Sequence, residues 1–195
     1  MLLLRLRVVN RGDGSGDVLM AMQELVMTAV GLDRPGLVEE LSGYLHGAGA
    51  NLADSRMVNL GGQFALIVRM RADDQVIEKI RSEVGQVGRR MGLTVSIGLD
   101  GGDQASRRQG LPLRLRVDAM DQPGIVHRIT NLLLRHQINI EELQTRLVPG
   151  SHSGTPLFNL ELCMTVPTTV QVKVLREELV ELCDSLNCDG DLEPI

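Results

Sequence analysis

Aromatic residues are nearly absent from this chain of 195 residues, which contains two Phe, one Tyr and no Trp. Tyr44, Phe64 and Phe158 are too few to form the stacking surfaces on which proteins that bind single-stranded nucleic acid depend. The formal net charge of −5 is small and has the wrong sign for binding DNA or an anionic membrane. The composition therefore predicts no direct contact with nucleic acid and none with a membrane.

Cysteine is scarce as well. Cys163, Cys183 and Cys188 form no C-x-x-C motif, which excludes a zinc ribbon and a disulfide scaffold. No apolar run approaches the roughly 20 residues of a membrane span, and residues 1–9 lack the features of a secretion signal. We expect a cytoplasmic protein without metal or other cofactor; a short organellar address at the N-terminus is the alternative.

Catalytic motifs are also missing. The chain has no G-x-S-x-G and no P-loop, and it has no G-x-G-x-x-G at a strand-to-helix junction. Its four histidines show neither metal-ligand spacing nor an acidic partner in register. These absences favour a protein that is not an enzyme.

A repeat divides the chain in two. The segment 33–38 (DRPGLV) is matched by 121–126 (DQPGIV), at an offset of 88 residues (121 − 33), and six of 20 positions are identical between 33–52 and 121–140. Such self-similarity without gaps indicates a duplicated structural module. We therefore predict an N-terminal extension at 1–20, a first domain at 21–99 (unit 1), a linker rich in Gly and charge at 100–110, and a second domain at 111–195 (unit 2).

Hydrophobic periodicity predicts the order strand, helix, strand, strand, helix, strand in each unit. In unit 2, Leu113, Leu115 and Val117 alternate with arginines, as in a strand with one solvated face. Apolar residues at helical spacing follow each Pro-Gly, and we place Val38 of the first such stripe in the core.

Other positions refine this assignment. Asp73 is a predicted N-cap for the second helix of unit 1, and Met57 a predicted core residue. A closing strand is predicted at Leu93–Leu99, whereas the polar run 187–192 predicts a short or irregular closing strand in unit 2.

The turns at 33–36 (elbow 1) and 121–124 (elbow 2) have the chemistry to bind a charged ligand. Asp33 lies where an N-cap belongs, and Gly36 lets a ligand approach the backbone. The helix amides that follow favour a carboxylate, Asp33 suits an ammonium group, and the Asn51 amide suits either. The three residues match the two charges of a free amino acid. They are equally the ordinary residues of a strand-to-helix turn, so a purely structural role is the alternative.

The βαββαβ order, with D-x-P-G after the first strand and Asn opening the second, resembles the ACT domain over about Gln23–Leu99 and Leu111–Leu192. The resemblance implies an α+β protein of two ferredoxin-like domains, each an antiparallel four-stranded sheet with two helices on one face. Two ACT units with little else resemble the glycine cleavage system transcriptional repressor family. That implies a regulatory protein which senses a small ligand, often an amino acid, between paired units and acts on a partner protein such as a transcription factor.

The resemblance also implies ligand-binding residues, carried over position by position. They are Asp33, Arg34, Gly36, Leu37 and Asn51 in unit 1, and Asp121, Gln122, Gly124, Ile125 and Asn139 in unit 2. One position departs from the family. Some serine-binding ACT units have His two residues before the first residue of this turn, where this chain has Gly31 and Ala119. The departure argues against serine as the ligand.

Two other functions are open at this point. The first is a dimerisation or interaction module that binds no ligand and pairs through exposed sheet edges. The second is a small acyl-phosphate hydrolase of ferredoxin-like fold, supported only by Arg34 near a helix start, with Gln122 in its place in unit 2. Open sheet edges need cover, so we expect a homodimer.

Overall fold

The computed structural model describes residues 22–99, 109–149 and 156–195. The chain divides into two compact bodies, Met1–Gly101 and Gly102–Ile195. The predicted N-terminal extension at 1–20 and the linker residues 100–108 lie outside the described residues.

Unit 1 has the predicted element order and an α+β architecture. Its strands are β1 (Gln23–Leu32), β2 (Asn51–Leu60), β3 (Gln63–Ala72) and β4 (Leu93–Leu99), and its helices are α1 (Leu37–Ala48) and α2 (Asp74–Met91). The strands form an antiparallel sheet in the order β2-β3-β1-β4. The predicted bounds of the closing strand are those of β4.

Unit 2 repeats this architecture. Its elements are β5 (Gly110–Met120), α3 (Ile125–Arg135), β6 (Asn139–Pro149), β7 (Pro156–Pro167), α4 (Val172–Leu186) and β8 (Cys188–Pro194), and the antiparallel sheet has the order β6-β7-β5-β8. β5 begins at Gly110, which we had placed in the linker. The prediction of two ferredoxin-like domains is confirmed.

The core of each unit lies between one face of the sheet and the two helices. Alternate residues of the central strands point into it, as the period of two in a strand requires. In unit 1 the fully buried side chains include Leu25, Met27, Phe64, Met70, Leu41 and Ile80. In unit 2 they include Leu113, Leu115, Leu162, Met164, Ile129 and Leu175.

Two predicted core residues of unit 1 are exposed instead. Met57 is 50% exposed because β2 is the outermost strand and is exposed along its whole length. Val38 is 48% exposed because Leu37 and Leu41 occupy the buried positions of the first turns of α1. Both predictions were wrong, and both side chains lie at the same end of unit 1 as elbow 1.

The closing strand of unit 2 is regular, contrary to the prediction. β8 pairs with β5 over seven residues, from Cys188 opposite Ala119 to Pro194 opposite Leu113. Its backbone supplies the hydrogen bonds of the ladder, and only Leu192 is buried. A polar sequence is therefore compatible with a strand at the edge of the sheet.

Local turn chemistry follows the sequence closely in unit 1. The Asp73 carboxylate accepts a hydrogen bond of 2.8 Å from the backbone N–H of Val76, which confirms it as the N-cap of α2. Gly61 and Gly62 both have positive φ, 59° and 78°, which suits the tight connection between β2 and β3. Because β3 lies between β2 and β1, the ends of β2 and β1 lie on either side of the start of β3.

Candidate functional site

The two elbows have nearly the same backbone. Gly36 (φ 93°, ψ −11°) caps α1, and Gly124 (φ 95°, ψ −3°) caps α3. A φ in this region favours glycine, because a Cβ would be strained there. No side chain caps either helix. The first amides of α1 and α3 are therefore left without a capping side chain at the positive end of the helix.

Asp33 does not have the role that we predicted for it. It precedes the actual N-cap by three residues, so its expected role as an N-cap is wrong. Its backbone N–H donates to the carbonyl of Gly62 at 2.9 Å, and its carboxylate accepts a hydrogen bond from the side-chain amide of Asn59. The Asp33 carboxylate is thus fixed against the end of β2, at the edge of the elbow.

Arg34 and Glu40 form a bidentate ion pair across elbow 1. The Arg34 Nη1 and Nη2 atoms lie 2.5 and 2.8 Å from the two carboxylate oxygens of Glu40. The hydrogen bonds that Arg34 donates to Glu40 lower the pKa of the Glu40 carboxyl and raise the pKa of the guanidinium. The two side chains are 42% and 38% exposed, so a solute can reach this pair.

An open cavity of about 690 Å³ lies beside elbow 1. Its lining residues are Asp33, Arg34, Pro35, Gly36, Leu37, Val38, Glu39, Ser42, Met57 and Phe64. Charged groups come from the elbow and the first turn of α1, whereas Val38 and Met57 provide an apolar wall with the buried Phe64 behind it. The cavity therefore combines uncapped helix amides, charges of both signs and an apolar surface.

Asn51 lies at the opposite end of the sheet from elbow 1. It opens β2 opposite Arg71, whereas elbow 1 follows Leu32, which pairs with Gln63 beside the end of β2. Nine residue-to-residue steps separate Asn51 from Leu60, about 30 Å at roughly 3.3 Å per step. Asp33, Gly36 and Asn51 thus do not converge within one unit.

In unit 2 the predicted residues are held differently. The Gln122 side-chain amide donates to the carbonyl of Leu186 at 2.5 Å, so elbow 2 rests on the C-terminal turn of α4. Asp121 is exposed, and its backbone N–H donates to the carbonyl of Pro156 at 3.4 Å. Asn139 donates to the carbonyl of Ile140 and, like Asn51, opens a strand at the far end of its sheet.

Leu37 and Ile125 contribute only backbone to the elbows. Their side chains are buried in the cores of the two units, at 1% and 2% exposure. A ligand at either elbow therefore cannot reach their side chains.

The structure explains why no histidine precedes either turn. A Cβ on Gly31 would lie 2.5 Å from the carbonyl oxygen of Gly92 and 2.8 Å from a methyl group of Leu93. Ala119, the equivalent residue in unit 2, is 5% exposed and pairs with Cys188. Neither position has room for an imidazole in the present packing.

Sequence reasoning missed several residues of the cavity. Glu40 and Asn59 hold the two charged residues of elbow 1, and Ser42, Met57 and Phe64 line the wall. Glu40 was detectable in principle, because an acidic residue in the first turn of a helix lies close to the preceding loop. Asn59 and Met57 come from β2 and reach the elbow only through the sheet register.

Within residues 22–99, 109–149 and 156–195, no group of three or more His, Cys, Asp or Glu side chains is placed to hold a metal ion. None of the helices in these segments has the length and apolar character needed to cross a membrane.

Comparison with known proteins defines the class of both units. The ACT domain family matches residues 23–98 and again residues 113–184. These matches agree with the two sheets and their four helices. The chain belongs to the tandem ACT-domain proteins.

Within this class the chain resembles one kind of regulator over nearly its whole length. It is 27% identical over 179 residues to the glycine cleavage system transcriptional repressors of Escherichia coli K12 and Shigella flexneri, covering 91% of this chain and 93% of theirs. A crystal structure of an unknown protein from Galdieria sulphuraria is 27% identical, with a TM-score of 0.79 over 90% of this chain and 99% of that one. The ACT domains and these relatives support a regulatory role.

Proposed function

We propose that this chain is a non-catalytic regulator that senses a free amino acid at elbow 1 and passes its ligand state to a protein partner. The observation that carries the proposal is the open cavity at the uncapped start of α1. An α-amino acid has a carboxylate and an ammonium group on one carbon, and the cavity holds groups suited to both.

The groups of the cavity suggest how such a ligand would bind. Its carboxylate would accept hydrogen bonds from the first amides of α1 and from Arg34. Its ammonium group would face Asp33 and Glu39, the other carboxylates at the rim. Arg34 would exchange part of its pairing with Glu40 for the ligand carboxylate. An apolar side chain on the ligand would contact Val38 and Met57.

A second copy of the chain would complete the site. Among the described strands, none pairs with the outer edge of β2, which carries exposed Leu52, Val58 and Leu60. Antiparallel pairing of β2 with the same strand of another copy would place Asn51 of one chain opposite Leu60 of the other. Because Leu60 lies beside elbow 1, that pairing would bring Asn51 to the cavity of the other copy.

The partner protein and its setting follow from the relatives. Their name describes repression of the glycine cleavage system at the level of transcription. A chain of net charge −5 is poorly suited to hold DNA itself. We propose that it acts in the cytoplasm on a protein that regulates transcription, and that Arg34 serves in binding rather than in acyl-phosphate hydrolysis.

Ligand sensing predicts stabilisation by at least one amino acid. Thermal unfolding is measured with each of the common amino acids at millimolar concentration; a ligand at 100 times its dissociation constant stabilises the folded state by about 2.7 kcal/mol. Arg34→Gln is expected to weaken binding of that amino acid about tenfold or more, since a hydrogen bond to a charged group contributes about 1.5–3 kcal/mol.

The matched control is Arg81→Gln, which removes a comparable surface arginine paired with Glu78 on α2, outside the cavity. It should leave ligand affinity unchanged. If no amino acid raises the unfolding temperature, the chain is not an amino-acid sensor and the interaction module without ligand is favoured.

The pairing of β2 predicts a homodimer that a charge on this strand disrupts. Val58→Lys is expected to raise the dimer dissociation constant more than tenfold, because lysine on an edge strand opposes pairing. Val180→Lys is the matched control, since Val58 and Val180 are 52% and 53% exposed and Val180 lies on α4. Sedimentation equilibrium measures both. A dimer equally stable in the two variants would show that β2 is not the interface.

A further inference from the structure

Unit 2 contains two cysteines that the elbow site does not use. Cys183 lies in the last turn of α4 and Cys188 opens β8. Between them, Asn187 adopts φ 48° and ψ 51°, and its N–H donates to the backbone carbonyls of Cys183 and Asp184. This left-handed turn reverses the chain and brings the two cysteines together.

Both side chains are withdrawn from solvent. Cys183 is 5% exposed, and Cys188 is partly buried against the core of unit 2. Gly190 leaves space for the first thiol, because a Cβ at this glycine would lie 2.6 Å from the Cys183 Sγ. The sulfur of Cys183 thus lies against β8, two residues along that strand from Cys188.

Burial raises the pKa of the Cys183 thiol to about 12, and hydrogen bonding with Cys188 adds to the effect. Cys183 therefore keeps its proton at neutral pH. Cys188 is the more accessible of the two and is the thiol that an oxidant in solution would meet first.

We propose that Cys183 and Cys188 form a modification site that closes to an intramolecular disulfide when hydrogen peroxide oxidises the chain. The Cys188 thiolate attacks one peroxide oxygen, the O–O bond breaks, and the departing hydroxide takes up a proton to give water and a sulfenic acid. The sulfur of Cys183 then attacks the sulfenic sulfur, and the S–O bond breaks. The second hydroxide leaves as water with the Cys183 proton. Two thiols lose two electrons, and one peroxide is reduced to two waters.

The disulfide would affect elbow 2 through the turn between Cys183 and Cys188, which it bridges. Residues 185 and 186 lie between the two cysteines. The first accepts a hydrogen bond from the start of α3, and the second accepts one from elbow 2. Arg128 Nη2 donates to the hydroxyl of Ser185 at 2.9 Å, and the Gln122 amide donates to the carbonyl of Leu186 at 2.5 Å. A covalent bond between the two sulfurs would constrain the turn to which these bonds are made. We therefore expect oxidation to loosen elbow 2 and leave elbow 1 unaltered.

Peptide mapping of the full chain tests the disulfide. No Lys or Arg follows Arg176, so trypsin releases 177–195 with both cysteines, whereas Cys163 lies in a separate peptide that ends at Lys173. After peroxide, alkylation and digestion without reductant, peptide 177–195 is expected to lack the alkyl label and two hydrogen atoms. The same result is expected for Cys163→Ser. Cys183→Ser and Cys188→Ser should each prevent it, and a reductant should restore both thiols.

Three results would overturn the modification site: alkylation of both thiols after peroxide, conversion of Cys188 to a sulfinic acid with Cys183 still free, or a crosslink between two chains in place of the internal one. Each is visible in the same digest, and none depends on ligand binding at elbow 1.

Amide hydrogen exchange measured by NMR tests the effect on elbow 2. The Arg128 N–H bonds to the carbonyl of Gly124, and in unit 1 the Glu40 N–H bonds to that of Gly36, both at 2.9 Å. Oxidation is expected to speed exchange at Arg128 about fivefold, the effect of losing one supporting hydrogen bond of roughly 1 kcal/mol. Exchange at Glu40 serves as the internal control and should not change. Equal rates at Arg128 in the oxidised and reduced chains would show that the disulfide does not reach elbow 2.

Discussion

Replacing Phe64 with alanine is expected to lower the free energy of unfolding of unit 1 by about 3–5 kcal/mol, the usual cost of removing a fully buried phenylalanine. The Phe64 ring is 0% exposed in the core of unit 1 and lies behind the wall of the cavity at elbow 1. It lies opposite Gly31 of β1, which has no side chain to fill the space that the ring would leave. The cavity would therefore extend into the core.

The measurement can be confined to unit 1. Tyr44 packs against the core of this unit, and the chain has no tryptophan and no second tyrosine. Its fluorescence during urea unfolding reports on unit 1. Phe158 is the matched control, because it lies opposite Ala119 at the equivalent place in unit 2 and is only partly buried. Phe158→Ala should leave the Tyr44 transition unchanged, and a loss below about 1 kcal/mol for Phe64→Ala would contradict our account of the core.

Introducing a single methyl group at Gly31 is expected to destabilise unit 1 by about 3 kcal/mol, at the upper end of the usual cost of overpacking. The new Cβ would lie 2.5 Å from the backbone carbonyl of Gly92 and 2.8 Å from Leu93. The carbonyl cannot swing away easily, because Gly92 (φ 74°) is the left-handed residue that ends α2 and leads into β4. Relief of the clash requires β4 to move away from β1.

The control for Gly31→Ala is a substitution at the equivalent position of unit 2. Ala119→Gly makes the opposite change at the equivalent position and is expected to cost only about 0.5–1 kcal/mol, the backbone penalty of glycine in a strand. Urea unfolding followed by circular dichroism compares the two variants. Equal losses for Gly31→Ala and Ala119→Gly would mean that the contact between β1 and β4 adjusts freely and that our reading of Gly31 is wrong.

The fold was predictable because the sequence contains two copies of the same structural module, so the pattern of each copy supports the assignment of the other. The repeated D-x-P-G and the apolar stripes define where each first helix begins, and β4 alternates clearly enough to set both of its ends. β8 was predicted to be short or irregular because this edge strand is held largely by backbone pairing with β5, and Leu192 is its one buried side chain. Backbone pairing of this kind cannot be predicted from the pattern of hydrophobic residues.

The candidate site was only partly predictable. Elbow 1 and its Gly36 follow from the motif, but the motif does not show that Asp33 is held by Asn59 or that Glu40 pairs with Arg34. Those contacts depend on the sheet register and on side-chain geometry. Met57 was assigned to the core because its apolar character is visible in the sequence, whereas its place on an outer strand is not.

The length of β2 has a consequence for how the proposed sensor would respond. Asn51 and elbow 1 lie at opposite ends of this strand, so unit 1 by itself cannot contact a ligand through both, and in the proposed dimer the second copy supplies Asn51. Complete sites would then arise only from encounters between chains, and while most chains are unpaired their number would grow with the square of protein abundance. Expression level would set the response threshold: a cell that makes more of this protein would react to a lower metabolite concentration.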